Sequence, residues 1–188
     1  MAVTEYELNT NPMKKLLTAI AILSTVALLQ AQSTFTVNLN GAQDGGGART
    51  GTGSGTLTLN GAQNAITFNN ITYSGLSANS TATHIHGPGA AGVNAAVLYG
   101  LNPTYSTVGS TSGSYNGTLP LVDGTGGFTL AQQIVQLNSG LWYLNIHSSA
   151  FAGGEIRGQI LPVPEPSVMA LAGLGLGGML FGMRRRKS

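Results

Sequence analysis

The sequence predicts an all-β protein, an antiparallel Greek-key sandwich or barrel with one short helix, set between two apolar terminal segments. Two observations carry that expectation. Apolar and polar residues alternate with period two through short runs that end in Gly or Asn. Only 7% of the 188 residues are charged, and Gly, Ser, Thr and Asn fill the exposed positions instead.

The first apolar segment follows "MAVTEYELNTNP", a polar stretch whose Glu5 and Glu7 suit neither a basic leader nor a folded element, which points to Met13 as the true start. From there "MKKLLTAIAILSTVALLQAQS" places Lys14 and Lys15 before an apolar run from Leu16 to Leu29 and the small Ala31, the three-part order of a secretory signal peptide over residues 1–31. A buried core helix over 16–29 is the alternative.

The body, residues 32–161, then reads as strands. Phe35, Val37 and Leu39 alternate with Thr and Asn in "STFTVNLNG". Leu57 and Leu59 do so in "SGTLTLNG", and Ile66, Phe68, Ile71 and Tyr73 in "AITFNNITYSG". Further strands are expected over Ala82 to His86, Ala95 to Tyr99, Gly113 to Leu121, Leu141 to His147 and Glu155 to Leu161. In "TLAQQIVQLNSG" the period changes: Thr129 can cap, Leu130, Ile134 and Leu137 share one helical face, and Gly140 can stop the helix. The repeated "LNGAQ" at 39–43 and 59–63 reads as two similar strand-end turns, and "QDGGGARTGTGSG" at 43–55 as an exposed flexible loop.

The last segment, residues 162–188, carries an uncharged apolar stretch from Val168 to Met183, close to the lower limit of about 17 residues for a membrane helix, stopped by Arg184, Arg185, Arg186 and Lys187. Pro164-Glu165-Pro166, the hydrophobic helix and the basic tail together resemble the PEP-CTERM sorting signal of Gram-negative bacteria. That resemblance implies processing by an exosortase, a membrane transpeptidase, during export to the cell surface or exopolysaccharide matrix, with a transient inner-membrane anchor. A plain single-span anchor is the alternative.

Charge excludes one class of partner. The net charge of +2 comes from the ends, whereas the body sets Arg49 and Arg157 against Asp44, Asp123 and Glu155, leaving no electrostatic footprint for nucleic acid. The absence of Cys removes disulfides, thiolate metal sites and a Cys nucleophile.

The chemistry-bearing residues gather in two motifs. On "THIHG", Ile85 faces the core while His84 and His86 share the other face, roughly 7 Å apart along the strand. On "LWYLNIH" Tyr143, Asn145 and His147 share the polar face, and on "EIRGQI" Glu155, Arg157 and Gln159 do. If the two form a hairpin pairing His147 with Glu155, Asn145 falls opposite Arg157 and Tyr143 opposite Gln159. If "HIH" lies beside it, His84, His86, His147 and Glu155 form a candidate zinc or copper site. The other reading needs no cofactor: each imidazole donates to a carbonyl or carboxylate and braces the turn after it. Ser148 and Ser149 beside His147 lack the strand-to-helix turn of a hydrolase nucleophile.

"LNGAQD", "ATHIHGPGAAGVNAAVLYGL" and "GLWYLNIHSSAFAGGEIRGQI", in that order, resemble the CHRD domain, first described in chordin. The resemblance covers residues 33–161 and implies a β-rich extracellular domain without an established catalytic activity, with His84, His86, Gly87, Asn145, His147, Gly154, Glu155, Arg157 and Gly158 as its signature. The chain departs from the family in "QDGGG", where an acidic residue and prolines are frequent, and at Ala152-Gly153, where a proline is common.

Three functions follow. The first is a non-enzymatic component of the cell-surface or exopolysaccharide matrix, bound to a matrix polysaccharide or protein. The second is a metal-binding extracellular domain. A hydrolase comes last, because Asp44, Asp123 and Glu155 give no sign of a catalytic carboxylate pair. The histidines are also too few for a copper-zinc superoxide dismutase site.

Overall fold

The computed structural model describes residues 32–45, 49–101 and 108–164. The expected signal segment (1–31), Glu165, Pro166, the apolar stretch 168–183 and the basic cluster 184–187 lie outside the described residues. Among the described residues no helix is long and apolar enough to cross a membrane.

Every strand expected from the alternation forms. They are β1 (Ser33–Asn40), β2 (Thr52–Leu59), β3 (Ala65–Ser74), β4 (Ser80–His86), β5 (Val97–Gly100), β6 (Gly113–Pro120), β7 (Tyr143–Ser148) and β8 (Ile156–Pro162). The helix, α1, spans Leu130–Asn138. Thr129 caps it in a reciprocal capping box with Gln132, Ile134 and Leu137 are buried, and Gly140 follows with φ 67°.

The architecture departs from the expected sandwich or barrel. The strands form one eight-stranded antiparallel sheet in the order β5-β4-β7-β8-β1-β2-β3-β6, with β5 and β6 as open edges. Its curl has local causes. Register shifts interrupt the ladders at Ser54/Thr56 and Phe68/Ile71, and such bulges increase twist and bend the strand that carries them. The curl brings the start of β4 to the approach to β6, where Ser80 N–H donates to Ser110 O at 2.9 Å and Gly109 N–H to Ser80 O at 2.8 Å.

The inner face therefore encloses a core without a second sheet. Phe35, Val37, Leu57, Ile66, Phe68, Ile85, Tyr115, Leu144, Ile146, Ile156 and Ile160 line it. Trp142 is fully buried and its indole N–H donates to Gln136 Oε1 of α1 at 3.1 Å, fixing the helix over one end.

The described parts of the 43–55 stretch, 43–45 and 49–55, are more ordered than their composition predicts. Gln43 and Asp44 belong to a 3-10 turn, Gly41–Asp44, capped by the Asn40 side chain, and β2 already begins at Thr52. Arg49 is tied down as well: its Nε–H donates to Gly154 O at 3.2 Å and its guanidinium lies 4.6 Å from the Phe151 ring centre. These side-chain contacts outweigh the flexibility that Gly and Ser confer.

Candidate metal centre

β4 reaches β7 across about sixty residues of chain, and the pairing sets the site. His84 lies opposite Asn145 and Ala82 opposite His147, so His147 sits diagonally beside His84 on the outer face. Ile85, fully buried, turns both β4 histidines outward. The hairpin register is the one the residue pattern predicts: Asn145 opposite Arg157 and Tyr143 opposite Gln159.

The three imidazoles converge. One ligand-competent nitrogen from each of His84, His86 and His147 lies within 4.8 Å of the others. His84 Nδ1 and His147 Nε2 are 3.0 Å apart. Zinc–imidazole bonds of about 2.0–2.1 Å in a tetrahedron place nitrogens roughly 3.3 Å apart, so the group needs only small ring rotations to close on an ion.

Backbone carbonyls decide which nitrogens face inward. A carbonyl oxygen only accepts, so the contacts of His86 Nδ1 with Ala95 O (3.0 Å) and of His147 Nδ1 with Ala152 O (2.9 Å) put the proton on Nδ1 in both rings. The lone pairs then sit on the two Nε2 atoms. His86 Nε2 is buried and has no hydrogen-bond partner. Orientation of the remote N–H by a carbonyl is the arrangement that fixes tautomer and aim in ligating histidines. Both rings thus brace a turn through Nδ1; His147 Nε2 then accepts from His84 Nδ1, and His86 Nε2 is the nitrogen left without a partner, so the bracing and ligating readings coexist.

Electrostatics favour the ligating state. Burial lowers the pKa of His84, and the neighbouring His147 and His86 lower it further. Burial also lowers that of His86, although its bond to Ala95 O and the nearby Asp44 oppose the shift. Both rings are therefore biased toward the neutral form that coordinates metal.

The structure brings His84, His86 and His147 together and gives Glu155 other work. Fully buried, Glu155 accepts the Ser77 N–H on Oε1 and so anchors the chain leaving β3. It lies outside the three-histidine group. Gly154, at φ 132°, redirects the backbone before this residue, which simple alternation does not foresee.

Three features around the histidines escaped the residue pattern. Tyr143 stacks on His86, with ring centroids 4.9 Å apart. The loop after β4 folds over the strip: Arg157 Nη1 donates to Asn94 Oδ1 at 2.8 Å and Gln159 Nε2 to Gly89 O at 2.7 Å, while a second Gln159 Nε2 bond of 2.7 Å reaches Gly140 O just past α1. Asp44 stands 4.0 Å from Arg157, yet burial raises its pKa against the pull of Arg157 and Arg49. The sequence places Asp44 in the exposed loop expected over 43–55.

Comparison with known families divides the chain at the end of β8. A model described as the CHRD domain matches residues 35–160, and one described as the PEP-CTERM protein-sorting motif matches residues 162–187. No curated protein and no solved structure gives a significant match.

Proposed function

The chain belongs to the CHRD-domain family, and from that premise we propose that it is a non-enzymatic surface domain that holds one zinc or copper ion on His84, His86 and His147. Its PEP-CTERM motif implies an exported, membrane-processed protein handled by exosortase-type machinery. In this reading the processed domain is displayed at the outer surface or in the exopolysaccharide matrix of a Gram-negative cell.

One observation carries the metal assignment. His86 Nε2 is buried without a partner while its own Nδ1 is committed to Ala95 O, so an unused lone pair lies within the three-imidazole group, whose His86 and His147 are each only 8% exposed. A buried acceptor left without a donor costs about 1–3 kcal/mol, and a bound cation removes that penalty. Three imidazole donors suit zinc or copper and leave a fourth position for water or an outside ligand. The role of the ion here is structural: it ties β4 to the β7–β8 hairpin and secures the Ala95 and Ala152 turns.

Elemental analysis of the purified protein tests this directly. One equivalent of metal per chain is expected, lost in His86→Ala and His147→Ala, with a rise in melting temperature on adding zinc or copper to the stripped protein. A melting temperature indifferent to both ions overturns the assignment.

A further inference from the structure

We propose that the open outer face of β1, β2, β3 and β6 is a binding surface for an uncharged, hydroxyl-rich polysaccharide chain. The argument begins with strand parity. The residues that alternate with the buried Phe35, Leu57, Phe68 and Leu119 all point outward, and the register aligns them in ranks. Thr34, Thr58, Thr67 and Thr118 form one rank across all four strands, and Thr36, Thr56 and Asn69 continue the next. From the Thr34 rank to that of Asn40, every outward position on these strands is Ser, Thr or Asn.

Solubility alone would select differently. Exposed sheets ordinarily carry Lys and Glu, above all on edge strands, where charge deters pairing with other chains. Here the edge strand β6 presents Ser114, Asn116 and Thr118, all exposed. The strand propensity of Thr accounts for some of these choices but not for the exclusion of every charge.

The side chains are held in place. Thr67 and Thr118 share a hydroxyl hydrogen bond of 2.9 Å, and Asn69 Nδ2 donates to Thr58 Oγ1 at 2.8 Å. Further along these strands an open groove of about 310 Å³ is lined by Thr52, Gly53, Ser54, Thr72, Tyr73 and Ser74, with the four hydroxyl side chains at the outward positions.

The chemistry of the face selects its occupant. Without charge it has no purchase on anionic glycans, lipid headgroups or nucleic acid, and without apolar side chains it offers no hydrophobic anchor to a protein. Hydroxyls and amides both donate and accept, as sugar hydroxyls do. Ranks cross the strands in steps of about 4.8 Å, close to the length of one sugar in an extended chain, so each residue of the glycan meets one side chain. Because the bulges in β2 and β3 curl the sheet, a flexible chain can follow the ranks whereas a flat crystal plane such as ice cannot. Individual contacts are weak, and binding strength comes from their number.

The setting rests on the export reading above, but the face is separate from the histidines. The test is affinity electrophoresis of the full-length protein in gels containing a soluble neutral β-glucan, with alginate as the charged probe. Retardation by the glucan and none by alginate is expected. Thr58→Val with Thr67→Val and Thr118→Val keeps the β-branched shape and should weaken retardation by at least about tenfold, as should Thr56→Arg alone, with unchanged melting temperatures. His84→Ala with His147→Ala should leave retardation intact, so loss of the metal reading and loss of this one are distinguishable. Equal retardation by alginate, no retardation by glucan, or undiminished binding by a folded triple-valine variant would overturn the proposal. Inhibition of ice growth without glucan binding would overturn it too.

Discussion

Tyr143 and His86 lie ring against ring, 4.9 Å apart at 7°, while the Arg157 guanidinium sits 4.4 Å from the centre of the same phenol. The two partners approach from β4 and β8, on either side of β7, and so occupy opposite faces of Tyr143. Both members of the stack also clip one loop residue: the Tyr143 hydroxyl accepts the Ala95 N–H at 3.0 Å, and His86 Nδ1 donates to Ala95 O. The aim of His86 Nε2 therefore depends on a tyrosine that is not itself a ligand. Tyr143→Leu should weaken zinc binding about tenfold or more in calorimetry, the usual scale for losing an orienting contact. Tyr143→Phe keeps the stack and should instead cost about 1–2 kcal/mol of stability, because the Ala95 N–H loses its acceptor.

Metal-free protein should lose stability as pH falls below about 6.5. The folded pKa values of His84 and His86 lie below that ordinary value, mainly through burial. Between the folded and unfolded values the unfolded chain binds more protons, so stability rises with pH across this window and is fully present above it. Proton competition weakens metal binding in the same direction. Denaturant melts of stripped protein at several pH values check the sign; a midpoint that climbs as pH drops from 7 to 5 would contradict it.

Asp44 behaves oppositely. Burial raises its pKa, so its contribution is fully present below about 3.8 and is lost as pH rises through the folded value. At neutral pH the carboxylate is a net liability, with Oδ2 buried and unpartnered and the orphaned Asn145 Oδ1 nearby, both against Gly154. Asp44→Asn supplies an N–H donor to this spot and removes the buried charge. It should raise the melting temperature at pH 7 by a few degrees, on the order of 1 kcal/mol, whereas Asp44→Ala should not.

The strands, the helix cap and the β7–β8 register were legible because each is local. Alternation fixes which side of a strand Phe35 or Trp142 faces, Thr129 and Gln132 cap one helix turn, and a short hairpin leaves little freedom of register. The neighbours of β4 were not legible. Nothing within "THIHG" says that β7 lies beside it, and the convergence of three histidines depends on that long-range choice. The open curl was hidden for the same reason, since it follows from bulges such as Phe68/Ile71 that appear only when β3 and β6 pair. Glu155 misled the pattern because its direction is set by the positive φ of Gly154 rather than by period two.

The glycines of "GEIRGQ" carry the last prediction. A Cβ at Gly154 would collide with Asp44 Oδ2 and the Asn145 amide, and its φ of 132° is strained for any other residue. A Cβ at Gly158 would enter the Asn38 carbonyl of β1, across the ladder that carries Arg157 opposite Asn40. Backbone cannot yield there as a flexible side chain could. Gly158→Ala should therefore separate β8 from β1 and cost about 3 kcal/mol or more in equilibrium unfolding. Gly154→Ala should cost a similar amount but be partly relieved in the Asp44→Ala background, because one of its collisions disappears. A double-mutant cycle measures that coupling, and strict additivity would show that φ strain and the Asn145 contact, without the Asp44 contact, fix glycine at this position.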